Sequence, residues 1–239
     1  MSEDAHADLE LCSWFFGFQT ATTRAVAAVF VLCADTSDIL PLMISTIAFD
    51  YAGVLEVAEK NITTEITEYL GITKEEWSRA YYSLVHLCNV GTHTWHDVAI
   101  LTVEKLGASQ AQVLEVEELM RLNAEKKKVN MGLVEIIKTL KPNYNIALIS
   151  NYASHLRQKL IDQNLFDLFD EIIISGEVGY QKPQPEIFML ACEKLGVTIS
   201  ELVFIDDTPR SLENADVIGY TPILYTNNQK LQQDLSQIL

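Results

Sequence analysis

Ile44-Ser-Thr-Ile-Ala-Phe-Asp-Tyr-Ala-Gly-Val-Leu55 sets the architecture of this 239-residue chain. A short apolar, β-branched run ends on one carboxylate, Asp50, and the chain then turns through Gly53. Such a run reads as a strand buried on both faces, of the kind found in parallel sheets. Its carboxyl end is where open α/β folds place their ligands. Two residues beyond Asp50, where a second acid would complete an acid/base pair, stands Ala52.

Downstream of this strand, short apolar runs alternate with amphipathic helices. Strands are expected at Ile44–Phe49, Asn145–Ile149, Glu171–Ile174, Leu202–Ile205 and Thr221–Tyr225, and helices at Tyr152–Gln163, Pro185–Leu195 and Gln229–Leu239. Strands separated by helices of this length imply a parallel sheet with crossovers. One segment departs from the alternation. Between Leu55 and about Val129 the periodicity is helical: Thr64–Leu70, Lys74–Leu87, Trp95–Leu106 and Ser109–Lys127. A helical insertion after the first strand forms a second layer or cap. The expected fold is therefore α/β, a Rossmann-like parallel sheet core with an inserted α-helical cap. Residues 43–57 and 130–239 make the core and 58–129 the cap.

The N-terminal 42 residues are atypical. Met1 to Glu10 is acidic, and the apolar tract Leu11 to Ala34 is broken by Gln19, Thr20, Thr22, Thr23 and Arg24. An acidic start does not suit a secretory signal, and Arg24 in the middle of the tract argues against a membrane span. Met43 directly precedes the first strand, so it is the expected natural start, with residues 1–42 an upstream or appended extension. A peripheral anchor or an added helix are the alternatives.

Seventeen Lys and Arg against 33 Asp and Glu leave a net charge of −16. That balance repels phosphate backbones and argues against nucleic-acid binding. The one Lys run, Lys126–Lys128, reads as a solvated helical face. Cys12, Cys33, Cys88 and Cys192 are scattered, with no metal-binding spacing, as suits a reducing, cytoplasmic compartment. His86, His93 and His96 fall in the helical insertion, where Thr92-His-Thr-Trp-His96 reads as a loop and cap opening a helix.

Four polar groups follow four strands. Asp50 follows the first, Ser150 and Asn151 the second, Lys182 lies in the loop after the third, and Asp206-Asp207 follow the fourth. In a parallel sheet these ends share one edge, so the four converge. Together they offer a carboxylate nucleophile, a hydroxyl donor, an ammonium and a pair of hard oxygen ligands, a set suited to a phosphoryl group and Mg²⁺.

These segments resemble the motifs of the haloacid dehalogenase-like (HAD) superfamily, in its subfamily IA type with a helical cap. Asp50-Tyr-Ala-Gly-Val-Leu55 is similar to the first motif and Leu148-Ile-Ser-Asn151 to the second. Lys182-Pro-Gln-Pro-Glu-Ile-Phe188 is similar to the third, and Phe204-Ile-Asp-Asp207 with Asn214-Ala215 to the fourth. The resemblance covers about Met43 to Tyr225. It implies a phosphatase acting on a small phosphorylated metabolite through an aspartyl-phosphate on Asp50. It implies Mg²⁺ held by Asp50, the backbone carbonyl of Ala52, Asp206 and Asp207. Ser150 and the backbone N–H of Asn151 hold phosphate oxygens, and Lys182 neutralises the nucleophile and phosphate charge. Ser211 stands where many relatives carry Asn, with Asn214 a weak substitute.

In most phosphatases of the superfamily, a second Asp at the Ala52 position protonates the leaving oxygen and then activates water. Loss of such a group costs roughly 10²–10⁴-fold in rate. The resemblance leaves three outcomes. The substrate has a good leaving group, such as a sugar 1-phosphate or acyl phosphate; a cap residue such as His93, His96 or a Glu stands in; or the domain is a degenerate phosphatase that binds without turnover. A 2-haloacid dehalogenase is the other alternative. Those relatives need no metal and usually carry Tyr at the Ala52 position and an Arg soon after, and neither is present in Ala52–Asn61.

Overall fold

The computed structural model of the chain describes residues 43–58, 62–89 and 92–239. The expectations about residues 1–42 lie outside them. Along the chain come β1 (Thr46–Phe49), β2 (Glu56–Val57), and helices α1 (Ile62–Leu70), α2 (Lys74–Tyr82), α3 (His86–Asn89), α4 (Trp95–Lys105) and α5 (Gln110–Lys126). Then follow β3 (Lys128–Val129), α6 (Met131–Leu140), β4 (Asn145–Ser150), α7 (Leu156–Asp162), β5 (Glu171–Ile174), α8 (Ser175–Val178) and α9 (Pro185–Leu195). The chain ends through β6 (Leu202–Asp206), α10 (Ala215–Ile218), β7 (Thr221–Leu224) and α11 (Asn228–Ile238). Among the described residues, no helix is long and apolar enough to cross a membrane.

Five strands form one sheet in the order β5-β4-β1-β6-β7, every pair parallel. The chain builds outward from β1 through β4 to β5, then returns to add β6 and β7 on the other side. Strand order reverses between β1 and β6, and open α/β sheets bind ligands outside the carboxyl ends at such a switch point.

The apolar runs explain this arrangement. β1, β4 and β6 are buried on both faces, as central parallel strands must be once crossover helices cover them. Ile47 and Phe49, Ile146 and Leu148, Val203 and Ile205 pack with Leu133 and Ile137 of α6, Leu160 of α7 and Leu231 of α11. The alternate residues Ala48, Ala147, Ile149, Leu202 and Phe204 pack with Ile187, Phe188 and Ala191 of α9 on the opposite face. Period-two alternation therefore sorts each strand between two cores.

The insertion has its own small core: Ile66, Trp77, Ala99, Val103, Val113, Val116 and Met120 pack together. Its helices start on sequence-encoded caps. Thr73, Thr94 and Ser109 each close a reciprocal capping box with Glu76, Asp97 and Gln112. The expected helix Lys74–Leu87 is broken after Tyr82. The Ser83 hydroxyl donates to the Ala80 carbonyl, and such local bonding competes with continued helix. The antiparallel pair β2–β3 joins the two ends of the insertion, an element too short to carry a sequence signal.

The expected helix Tyr152–Gln163 starts at Leu156 instead. Tyr152 N–H donates to Ser175 Oγ, and its carbonyl accepts from Gly176 N–H. These contacts hold the segment before α7 out of the helix and against the start of α8. A Cβ on Gly176 would come within 2.9 Å of the Tyr152 carbonyl oxygen, so the approach depends on a glycine there.

Candidate active site

Sheet register decides which strand ends meet. Phe49 is paired with Ile205, and Asp50 N–H donates to the Ile205 carbonyl at 2.9 Å. Asp50 thus leaves the sheet beside Asp206. Both continue the alternation of Ala48 and Phe204, which share a face, so their carboxylates emerge on the same side. Lys182 reaches that side from the loop after β5, with Nζ 5.1 Å from the centre of the Phe204 ring.

The ammonium of Lys182 is enclosed, its side chain 1% exposed. Nζ lies 2.8 Å from Asp50 Oδ1 and donates to Asp206 Oδ2 at 2.6 Å. Asp206 Oδ1 accepts from Thr208 N–H at 2.8 Å. Asn151 fixes the loop that carries the lysine: its side-chain carbonyl accepts from Lys182 N–H at 2.8 Å and its amide donates to the Lys182 carbonyl at 3.1 Å. Ser150 closes β4 as a buried residue and lies outside the cavity wall.

Asp207 completes the group at the exposed edge. Gly53, at φ +85°, is what lets it sit there. A Cβ on Gly53 would collide with the Asp207 carboxylate. Ala52 is exposed and lines the same cavity.

Asp50, Asp206 and Asp207 each offer a carboxylate oxygen, all within 4.8 Å of one another. Three carboxylates face one ammonium. For Lys182, burial opposes the charge, but Asp50 and Asp206 outweigh it and hold its pKa above the ordinary value. Burial raises Asp206 to about 6, with Lys182 opposing and Asp50 adding to the rise. Burial, then Asp50 and Asp206, raises Asp207 to about 6. This imbalance and the all-oxygen donor set fit a hard divalent cation. Asp50 Oδ1, buried with the Lys182 ammonium 2.8 Å away as its partner, keeps acceptor capacity for one.

Above this floor is a cavity of about 1070 Å³. Asp50, Ala52, Asn151, Lys182 and Asp207 line its floor. Tyr81 and Tyr82 of α2, Trp95 and His96 of α4, and Met120 of α5 line its helical side. Arg210 stands 4.3 Å from the centre of the Tyr82 ring, a cation–π contact between core and insertion. Of the histidines in the insertion, His96 reaches the cavity, while His93 bonds to Thr92. Ser211 lines the cavity, whereas Asn214 is an exposed helix cap at φ +63°.

Sequence reasoning missed a second polar cluster on the same cavity. Glu56, buried on β2, accepts from Tyr51 Oη at 2.9 Å and from Lys159 Nζ at 2.9 Å. Burial disfavours its charge, but the Lys159 contact prevails and its pKa falls below the ordinary value. Lys127 Nζ lies 4.0 Å from the same carboxylate. The Lys run is therefore no uniform solvated face: α5 ends at Lys126, and Lys127 turns half-buried toward the cavity. The β2–β3 pairing that brings these groups together spans about 70 residues and has no local signature.

A protein-family model for the haloacid dehalogenase-like hydrolases matches residues 44–213. The D-ribitol-5-phosphate phosphatase of Bacteroides thetaiotaomicron is 23% identical over 209 residues, covering 82% of this chain and 99% of that protein. Four other curated relatives match only in part, the chain spanning 26–38% of their length, wherever the match is drawn between 26% and 61% of this chain. A HAD family enzyme of Bacteroides thetaiotaomicron has a similar structure, with TM-score 0.57 at 19% identity, over 81% of this chain and 98% of that one. Its wild-type form in complex with magnesium and inorganic phosphate gives TM-score 0.50 at 22% identity, over 77% and 94%.

Proposed function

The chain belongs to the haloacid dehalogenase-like hydrolases, and from that membership we propose a Mg²⁺-dependent phosphatase acting on a small phosphorylated metabolite through an aspartyl-phosphate. The observation that carries the reading is the set of Asp50, Asp206 and Asp207 around the Lys182 ammonium at the floor of one cavity. The magnesium and phosphate bound by the structural relative, and the phosphatase activity named for the sequence relative, support it. Residues 43–57 and 130–239 serve as the core and 58–129 as the cap, and two buried free cysteines, Cys88 and Cys192, suit a reducing cytoplasm.

In this reading Asp50 is the nucleophile. One carboxylate oxygen bonds to phosphorus as the bond from phosphorus to the ester oxygen breaks. Water then attacks the same phosphorus, releasing phosphate and restoring the carboxylate. Lys182, held against Asp50, limits repulsion between nucleophile and phosphate. The Asn151 N–H would hold a phosphate oxygen and Asn151 also positions the Lys182 loop, whereas the Ser150 hydroxyl, buried just behind the cavity wall, would join it only if phosphate seats deeper than that wall. Asp50, the Ala52 carbonyl, Asp206 and Asp207 would hold Mg²⁺, which when bound supplies charge stabilisation to the phosphoryl oxygens. Against a dehalogenase stand Ala52 and the Asp206-Asp207 pair.

A panel of phosphometabolites assayed with Mg²⁺ tests this. Phosphate release from at least one member is expected, lost on adding EDTA and restored by excess Mg²⁺. Release that persists in EDTA, or no release from any member with Mg²⁺ bound, overturns it; the second result leaves a binding domain without turnover.

Ala52 has no proton to give, so substrates with poor leaving groups are turned over slowly. Because Ala52 is exposed to the cavity, a carboxylate has room there. Ala52→Asp is expected to raise kcat on alkyl phosphates by about 10²-fold, with little gain on acyl phosphates. Equal effects on both classes would show that proton supply does not limit the native site.

A further inference from the structure

Besides Lys182, the cavity is lined by the lysines Lys127 and Lys159. Among the described residues, Glu56 is the carboxylate that pairs with two ammonium groups, Lys159 at 2.8 Å and Lys127 at 4.0 Å, so the cluster holds a surplus positive charge. Both lysines line the cavity that has Asp50 at its floor. The side chain of Lys127 is 29% exposed, and Glu56 is its ionic partner among the described residues. Its Nζ also lies 5.8 Å from the centre of the Trp95 ring, which faces the same space. Arg121 of α5 is by contrast neutralised by Glu118 and Glu125. The acid Glu117 reaches the cavity from α5 roughly three helical turns before Lys127.

A surplus cation is costly to keep in a half-buried wall, and this chain has about half as many basic as acidic residues. Burial already pulls the Lys127 pKa below its ordinary value, with Glu56 opposing the fall. An anionic group placed against Lys127 would balance the charge. Lys159 is the structural member of the pair, since it bonds Glu56 directly; Lys127 has donors to spare.

We infer that Lys127, backed by Lys159, forms a subsite for a second anionic group of the substrate whose phosphate sits at Asp50. The substrate class is then a phosphate monoester that also carries a carboxylate or a second phosphate. This rests on the phosphatase reading of the same cavity.

Matched pairs test it: 3-phosphoglycerate against glycerol 3-phosphate for a carboxylate, and fructose 1,6-bisphosphate against fructose 6-phosphate for a second phosphate. The wild type is expected to favour the anion-bearing member of at least one pair by about 30-fold in kcat/KM, as a charge-assisted contact provides. Which pair responds identifies the anion. Lys127→Met should reduce that ratio about tenfold or more, and Lys127→Arg should keep most of it. A merely structural role for Lys127 would lower both members of a pair alike. The inference is overturned by ratios near one in the wild type, or by ratios that Lys127→Met leaves unchanged. If none of the four is turned over, the wider panel decides the phosphatase reading separately, while calorimetric binding of the same pairs with Mg²⁺ decides the subsite. Tighter binding of the anion-bearing member, lost in Lys127→Met, supports it, and equal binding sinks it.

Discussion

Asp50→Asn is expected to abolish phosphate release, lowering kcat by at least about 10⁴-fold, the scale seen when a nucleophile is removed from an otherwise intact site. The substitution is nearly isosteric. Its amide oxygen can still face the Lys182 ammonium, which lies 2.8 Å from Asp50 Oδ1, and the backbone bond from residue 50 to the Ile205 carbonyl is untouched. The fold should therefore survive while the chemistry does not. Rapid acid quenching of wild type with substrate should trap a chain phosphorylated at Asp50, and the variant should yield none. Turnover within tenfold of wild type would show that Asp50 is not the nucleophile.

Lys182→Met should damage both stability and turnover. The ammonium is 1% exposed and sits between two carboxylates, with Asp207 beside them. Removing it leaves buried negative charge uncompensated, a loss of about 3–5 kcal/mol. For a domain of this size that corresponds to a fall in Tm of roughly 6–20 °C. The measurement is made in EDTA so that no cation replaces the lysine.

The pH dependence of that deficit has a definite sign. Asp206 and Asp207 titrate at about 6 in the folded protein, above the usual carboxylate range. A carboxyl group with a raised folded pKa favours the fold at low pH and loses that contribution as pH rises through the folded value. Lys182 holds both values down, so without the ammonium the two carboxylates titrate above 6, and the deficit should be largest at alkaline pH and narrow as pH falls toward 6 and they take up protons. A variant that melts with the wild type at pH 8 would show that the lysine does not hold this cluster together.

Local signals in the chain located much of this architecture. Glu171–Ile174 and Pro185–Leu195 fall where their periodicity places them, because a buried β-branched run and a Pro-started amphipathic turn are properties of a few neighbouring residues. Helix α6 was not legible. Gly132, Val134, Ile136, Ile137 and Thr139 weaken its local helical preference, and burial of Leu133, Val134 and Ile137 against the sheet overrides it. The late start of α7 was not legible either, since the bonds from Tyr152 to Ser175 and Gly176 cross more than 20 residues.

By itself the chain's sequence determined the sequential order of the five strands of the main sheet, the helical insertion after β1, and the arrival of Asp50, Ser150, Asn151, Lys182, Asp206 and Asp207 at one edge of a parallel sheet. Hydrophobic periodicity and strand direction suffice for that. Only the tertiary structure decided that Asp50 and Asp206 emerge side by side, that Gly53 makes room for Asp207, and that Lys127 turns from the end of α5 toward Glu56 and the cavity. Those outcomes depend on register and on contacts between residues 71 (Glu56 and Lys127) to 156 (Phe49 and Ile205) positions apart, where no local pattern carries information and packing alone sets the partner.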